Sequence, residues 1–136
     1  MNQPSTHPPT RERRALIVED DPMIARILAD TLTDEGYCAR HTSAAQEALD
    51  VMDGWLPDVI LLDLMLAGMD GWAFRRAQRD LGDARAEVPV VIVSATRATE
   101  ARMRELSAAA ELLKPFDLEE LLVTIDQVCA DRLRAG

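Results

Sequence analysis

The sequence predicts an α/β domain in which a doubly wound, five-stranded parallel sheet alternates with five helices. Three observations predict it. The runs ending at Val18, Leu62 and Val93 are apolar at successive positions rather than at every second one, as strands covered on both faces are. The segments between the runs place apolar residues at helical spacing. Nearly every run stops abruptly at an acid, a hydroxyl or a lysine, where the chain turns into the next segment.

Taken in order, Arg14–Val18 is the first strand and breaks into Glu19-Asp20-Asp21-Pro22. Asp21 before Pro22 reads as a helix N-cap with proline in the first turn, Ile24, Ile27, Leu28 and Leu32 form the apolar stripe, and Gly36 stops the helix. Tyr37–Thr42 is a half-buried second strand, with Ser43 as the expected cap of a helix through Ala48, Leu49 and Met52; Gly54 and Pro57 punctuate its end. Asp58–Asp63 is the most apolar strand, followed by a loop to Asp70 that contains Gly68, and by a helix opening at Gly71 with Trp72, Phe74, Arg75 and Arg76. A polar stretch, Gly82–Glu87, precedes the fourth strand, Val88–Val93, which ends in Ser94-Ala95-Thr96. A polar helix over roughly Thr99–Ala108, carrying Met103 and Leu106, leads to a short strand ending at Lys114. The last helix is expected to be capped by Asp117 and to bury Leu118, Leu121, Leu122, Ile125, Val128 and Cys129.

Composition bounds the function. The 136 residues suit one core, and residues 1–13, with their prolines and small polar side chains, read as a flexible tail before a domain over 14–136. No run is long enough to span a bilayer, and Met1–Arg13 lacks the apolar stretch of a secretory signal. A net charge of −9 argues against direct contact with nucleic acid or an anionic membrane. Cys38 and Cys129 fit reduced thiols in a cytoplasmic protein.

In open parallel sheets ligands bind beyond the carboxyl ends of the strands. Those ends collect Glu19, Asp20, Asp21, Asp63, Ser94 and Lys114. Acids at strand ends also serve as helix caps, and for Asp21 that is the simpler account. It suits Asp63 less well, because Leu64-Met65-Leu66 follows and no helix begins there. Carboxylates crowded at one edge repel one another unless a cation intervenes, and a hard divalent ion such as Mg²⁺ is the natural one. Lys114 is the sole lysine among fifteen Lys and Arg residues, so this position keeps a compact ammonium where arginine was used everywhere else. A carboxylate beside a metal, a hydroxyl and an ammonium can act as a nucleophile toward phosphorus and carry an acyl phosphate. His7 lies in the tail, and His41 is expected on the second strand, away from these ends.

The segments Ile17–Pro22, Pro57–Leu66 with Gly68-Met69-Asp70-Gly71, Val91–Ala95 and Lys114-Pro115-Phe116 together resemble the receiver domain of bacterial two-component response regulators, over about Arg14 to Leu133. The resemblance implies a flavodoxin-like, CheY-like sheet of order 2-1-3-4-5. It implies that Asp63 accepts a phosphoryl group from a sensor histidine kinase or a histidine phosphotransfer protein, in a reaction needing Mg²⁺. Asp20 would ligate the ion directly, Glu19 through water, Asp63 itself and Met65 through its backbone carbonyl. Ser94 would be the switch hydroxyl and Lys114 the partner of carboxylate or phosphoryl group. Met65 and Thr96 hold positions that influence water access to the phosphoryl group, and the apolar Met65 predicts a long-lived phosphorylated form. Two positions depart from the family pattern: Glu111 stands where an aromatic switch residue is usual, and Ala67 where proline is frequent.

The resulting expectation is a stand-alone phosphoacceptor switch, not an enzyme in the ordinary sense, though it assists its own Mg²⁺-dependent phosphorylation and dephosphorylation. Met23 and Ile27 on the first helix would meet the kinase-side partner. The face made by the fourth helix, fifth strand and fifth helix, with Arg97, Arg102, Arg104 and Glu111, would meet a downstream protein; whether phosphorylation also drives homodimerisation is left open. A phosphorylation-independent binding module is the alternative. A metal-dependent phosphatase is a third reading, but it needs a second aspartate where Met65 stands.

Overall fold

The computed structural model describes residues 12–64, 71–95 and 100–135. Five strands alternate with five α-helices: β1 (Arg14–Val18), α1 (Pro22–Asp34), β2 (Cys38–Thr42), α2 (Ala45–Met52), β3 (Val59–Asp63), α3 (Gly71–Asp80), β4 (Val90–Ser94), α4 (Glu100–Leu106), β5 (Ala110–Leu113) and α5 (Leu118–Ala135). The strands are parallel in the order β2-β1-β3-β4-β5, as expected.

The apolar runs are explained by their alternation across two buried faces. Ile17, Leu61 and Val93 point into a core shared with Leu28 and Leu32 of α1 and Leu121 and Ile125 of α5. Leu16, Ile60, Leu62 and Ile92 point the other way, toward Met52 of α2, Phe74 of α3 and Leu106 of α4. Each such side chain contributes about 2 kcal/mol by leaving water, and every residue of β3 and β4 is buried.

Local signals govern where the helices begin and end. Asp21 accepts hydrogen bonds from the Met23 and Ile24 amides at 2.9 and 3.3 Å, and Pro22 follows it. Gly36, at φ 93°, closes α1: its own N–H reaches Thr33 O, and the Tyr37 N–H reaches Leu32 O. Asp117 caps α5 by accepting from the Glu120 amide at 2.7 Å.

Two expectations need correction. Ser43 does not cap α2; the chain enters from an extended Ala44 with no side-chain cap, whose carbonyl takes the Ala48 amide. Leu118 is exposed rather than buried, because the inward stripe of α5 begins at Leu121. Within the polar stretch before β4, Ala84–Glu87 forms a 3₁₀ turn capped by the Asp83 carboxylate.

Candidate phosphoacceptor site

Sheet register brings the strand ends together. Val18 lies opposite Leu62, Asp63 opposite Val93, and Ser94 opposite Leu113, so Glu19, Asp63, Ser94 and Lys114 share the carboxyl edge. The Lys114 amide donates to Ser94 O at 2.7 Å, which anchors the lysine to the end of β4, and the Lys114–Pro115 bond is cis.

Glu19, Asp63 and Ser94 are only 2%, 6% and 5% exposed. Glu19, Asp20 and Asp63 each offer a carboxylate oxygen, and these oxygens lie within 4.8 Å of one another. The Lys114 ammonium reaches two of the three acids, with Nζ 3.2 Å from Glu19 Oε1 and 3.5 Å from Asp63 Oδ2. The second Glu19 oxygen accepts from the Asp21 amide at 3.2 Å.

The electrostatics follow from this crowding. Burial, and then the neighbouring Asp63 carboxyl, push the Glu19 carboxyl up to about 7. Burial pulls the Lys114 ammonium down, but Asp63 and Glu19 more than offset it, so its pKa is raised. Among the described residues, the three acids gather beside the Lys114 ammonium, a concentration of carboxylate oxygens that a divalent cation would suit. An all-oxygen donor set of this kind suits a hard ion and fits Mg²⁺.

Of the residues singled out in the sequence, Glu19, Asp20, Asp63, Ser94 and Lys114 are brought to one edge. Glu111 lies on β5 opposite Ile92, half-buried. Met65, Ala67, Thr96 and Arg97 lie outside the described residues.

His41 is closer than expected. Its Nε2 sits 2.7 Å from the Glu19 backbone oxygen, while the Glu19 amide donates to Thr42 O, so the end of β2 fixes the backbone of the acid. The available signal was register: a β2 strand beside β1 carries His41 to the same carboxyl edge.

This edge, on this sheet, defines a receiver of the kind that response regulators carry. The chain belongs to that family, since residues 15–126 match the response regulator receiver domain. It is 35% identical over 111 residues to response regulator MprA of Mycolicibacterium vanbaalenii and, equally, to MprA of Mycobacterium avium, in each case over 80% of this chain and 47% of the relative. The chain thus spans about half the length of the curated relatives it matches. Among solved structures, a putative response regulator from Chloroflexus aurantiacus is 28% identical with a TM-score of 0.79, covering 88% of this chain and 99% of that one. The Vibrio cholerae chemotaxis protein CheY4 is 27% identical with a TM-score of 0.80, covering 87% and 99%. The family is one of signalling switches rather than ordinary enzymes. Among the described residues, no helix is long and apolar enough to cross a membrane.

Proposed function

We propose that this chain accepts a phosphoryl group on Asp63 from a sensor histidine kinase or histidine phosphotransfer protein and signals the change through protein contacts. The observation that carries the reading is the convergence of Lys114 with the Glu19, Asp20 and Asp63 carboxylates from separate segments.

In the transfer, an Asp63 carboxylate oxygen forms a bond to phosphorus as the bond from phosphorus to the donor's imidazole nitrogen breaks. The imidazole keeps the electron pair and is then protonated. Lys114 stays an ammonium throughout and exchanges part of its pairing with Asp63 for a phosphoryl oxygen. Ser94, buried on the adjacent strand, would donate its hydroxyl hydrogen to another phosphoryl oxygen. Glu19, Asp20 and Asp63 would hold Mg²⁺, with Met65 adding its backbone carbonyl, and the bound ion supplies charge neutralisation for the transferring group. Water access to the acyl phosphate would be tuned at Met65 and Thr96.

The exposed Met23 and Ile27 of α1 support docking of the kinase-side partner there. Exposed Arg102 and Arg104 on α4 support output through the α4–β5–α5 face. The net charge of −9 supports a protein rather than nucleic acid or membrane as the direct target.

The test is incubation with Mg²⁺ and a small phosphodonor, followed by intact mass measurement. The reading expects one alkali-labile phosphoryl adduct, absent in Asp63→Asn. No adduct would leave a phosphorylation-independent binding module, and steady turnover without adduct would mean a phosphatase.

A further inference from the structure

The C-terminal end of α4 is held largely from outside the helix. Five consecutive carbonyls there each accept a hydrogen bond: Met103 O from the Ala108 amide and Arg104 O from the Ser107 amide, then Glu105 O from Arg79 Nη1 at 3.3 Å, Leu106 O from Arg75 Nε at 2.7 Å, and Ser107 O from Arg75 Nη2 at 3.1 Å. The last three of these donors come from α3. A helix end leaves its final carbonyls without partners, and a seven-residue helix is too short to hold itself in place. Beside the burial of Leu106 against the sheet, α3 therefore fixes the α4 terminus through three of these five bonds.

Arg75 is the centre of this clamp. It is 7% exposed, and its remaining nitrogen, Nη1, donates to Gln78 Oε1 at 2.7 Å. Gln78 is fully buried and is itself pinned by the carbonyls of Arg85 and Val88. Every one of these acceptors is a neutral oxygen, so the guanidinium is fixed by direction rather than by a counter-charge. A planar fork bonded along three directions sets both the distance and the rotation of the α4 terminus relative to α3.

The other end of α3 rests on the candidate phosphoacceptor. The Gly71 amide donates to Leu64 O at 3.2 Å. A Cβ on Gly71 would lie 2.9 Å from Leu64 Cα and 3.4 Å from Asp63 O, so only glycine permits this approach. Arg75 follows one helical turn later, about 6 Å along the axis.

We propose that Arg75 is a positioning residue that carries a change at Asp63 to α4, through the contact chain Asp63–Leu64–Gly71–Arg75–Leu106/Ser107. This rests on the reading of Asp63 as the phosphoacceptor. A phosphoryl group adds bulk and charge at Asp63, the backbone at Leu64 adjusts, and α3, packed against it, moves as a rod. The clamp then moves α4. The route bypasses β5, where Glu111 sits.

Hydrogen exchange over residues 100–107, with and without Mg²⁺ and a small phosphodonor, tests this in the intact chain. Adduct is weighed on the same samples. In the wild type, phosphorylation should change α4 exchange by about tenfold, a typical coupling between linked sites. Arg75→Met should take up the same adduct, while its α4 response falls below about twofold. A merely structural arginine would raise α4 exchange in both states and leave the ratio as in the wild type; that result overturns the proposal. Should Arg75→Met not fold, the wild type decides alone: amides of residues 75–78 must change together with those of α4, and an α4 response without them overturns the link. A wild type that takes up no adduct removes the reading of Asp63 itself, and this inference with it.

Discussion

Glu19→Gln is the perturbation whose outcome the site geometry specifies most sharply. The side chain is 2% exposed, and its carboxyl is raised from 4.5 to about 7 by burial and by Asp63. The folded protein thus holds this proton more tightly than the unfolded chain does. Glu19 contributes stability that is complete below pH 4.5 and is lost as pH rises through 7. A shift of that size corresponds to about 3 kcal/mol at pH 8 in the absence of metal. Glutamine keeps the shape without the charge, but it weakens the hydrogen bond from Lys114, an offset of about 1 kcal/mol.

The net expectation is that, in EDTA at pH 8, Glu19→Gln is more stable than the wild type by about 2 kcal/mol, and that the gap closes by pH 5. Urea denaturation reads this directly. With a slope of about 2 kcal/mol per molar, the midpoint should rise by about 1 M at pH 8. Mg²⁺ should reverse the order, because the wild type gains a ligand that the variant lacks. A variant no more stable than the wild type at pH 8 without metal, or a gap unchanged at pH 5, would refute the idea that burial and Asp63 hold the Glu19 proton.

Two further outcomes concern the scaffold. Ser107 closes α4 at φ 53°, a conformation that costs a side-chain-bearing residue, so Ser107→Gly should raise unfolding free energy by about 1 kcal/mol in urea titration. Tyr37 donates to Asp126 Oδ1 at 2.7 Å, joining the start of β2 to α5; Tyr37→Phe should lower stability by about 1–2 kcal/mol in the same assay.

The centre of the sheet was legible because β1, β3 and β4 are buried on both faces, and such strands need no alternation to be recognised. The acids, Ser94 and Lys114 were legible because parallel topology sends every strand end to one edge. What escaped was decided by competition between neighbours. Ser43 is a better capping residue than Ala44 on its own, yet the end of β2 delivers the chain into α2 one residue later. The 3₁₀ turn at Ala84–Glu87 carries too few apolar residues to show a period. The clamp on α4 did leave a trace. Gly71, Phe74, Arg75 and Gln78 occupy the i, i+3, i+4 and i+7 positions that face inward on a helix. Polar residues on a buried stripe announce partners to be found, though they do not say which ones.

The chain's bias toward arginine takes on meaning when buried Arg75 is compared with half-buried Lys114. Arg75 serves where several fixed acceptors must be bonded along set directions, and its partners are carbonyl and amide oxygens of packed elements. Lys114 serves where the partners are carboxylates at the ends of separate strands whose charge must be met without fixing direction, and its ammonium lies between them at 3.2 and 3.5 Å. A fork at position 114 would commit to one carboxylate in bidentate fashion, whereas a point charge could follow negative charge moving from Asp63 to phosphorus in the transfer proposed above. The same contrast separates holding a helix in register from attending a reaction. On the proposed reading of Asp63, the one lysine stands at the place where the charge distribution changes.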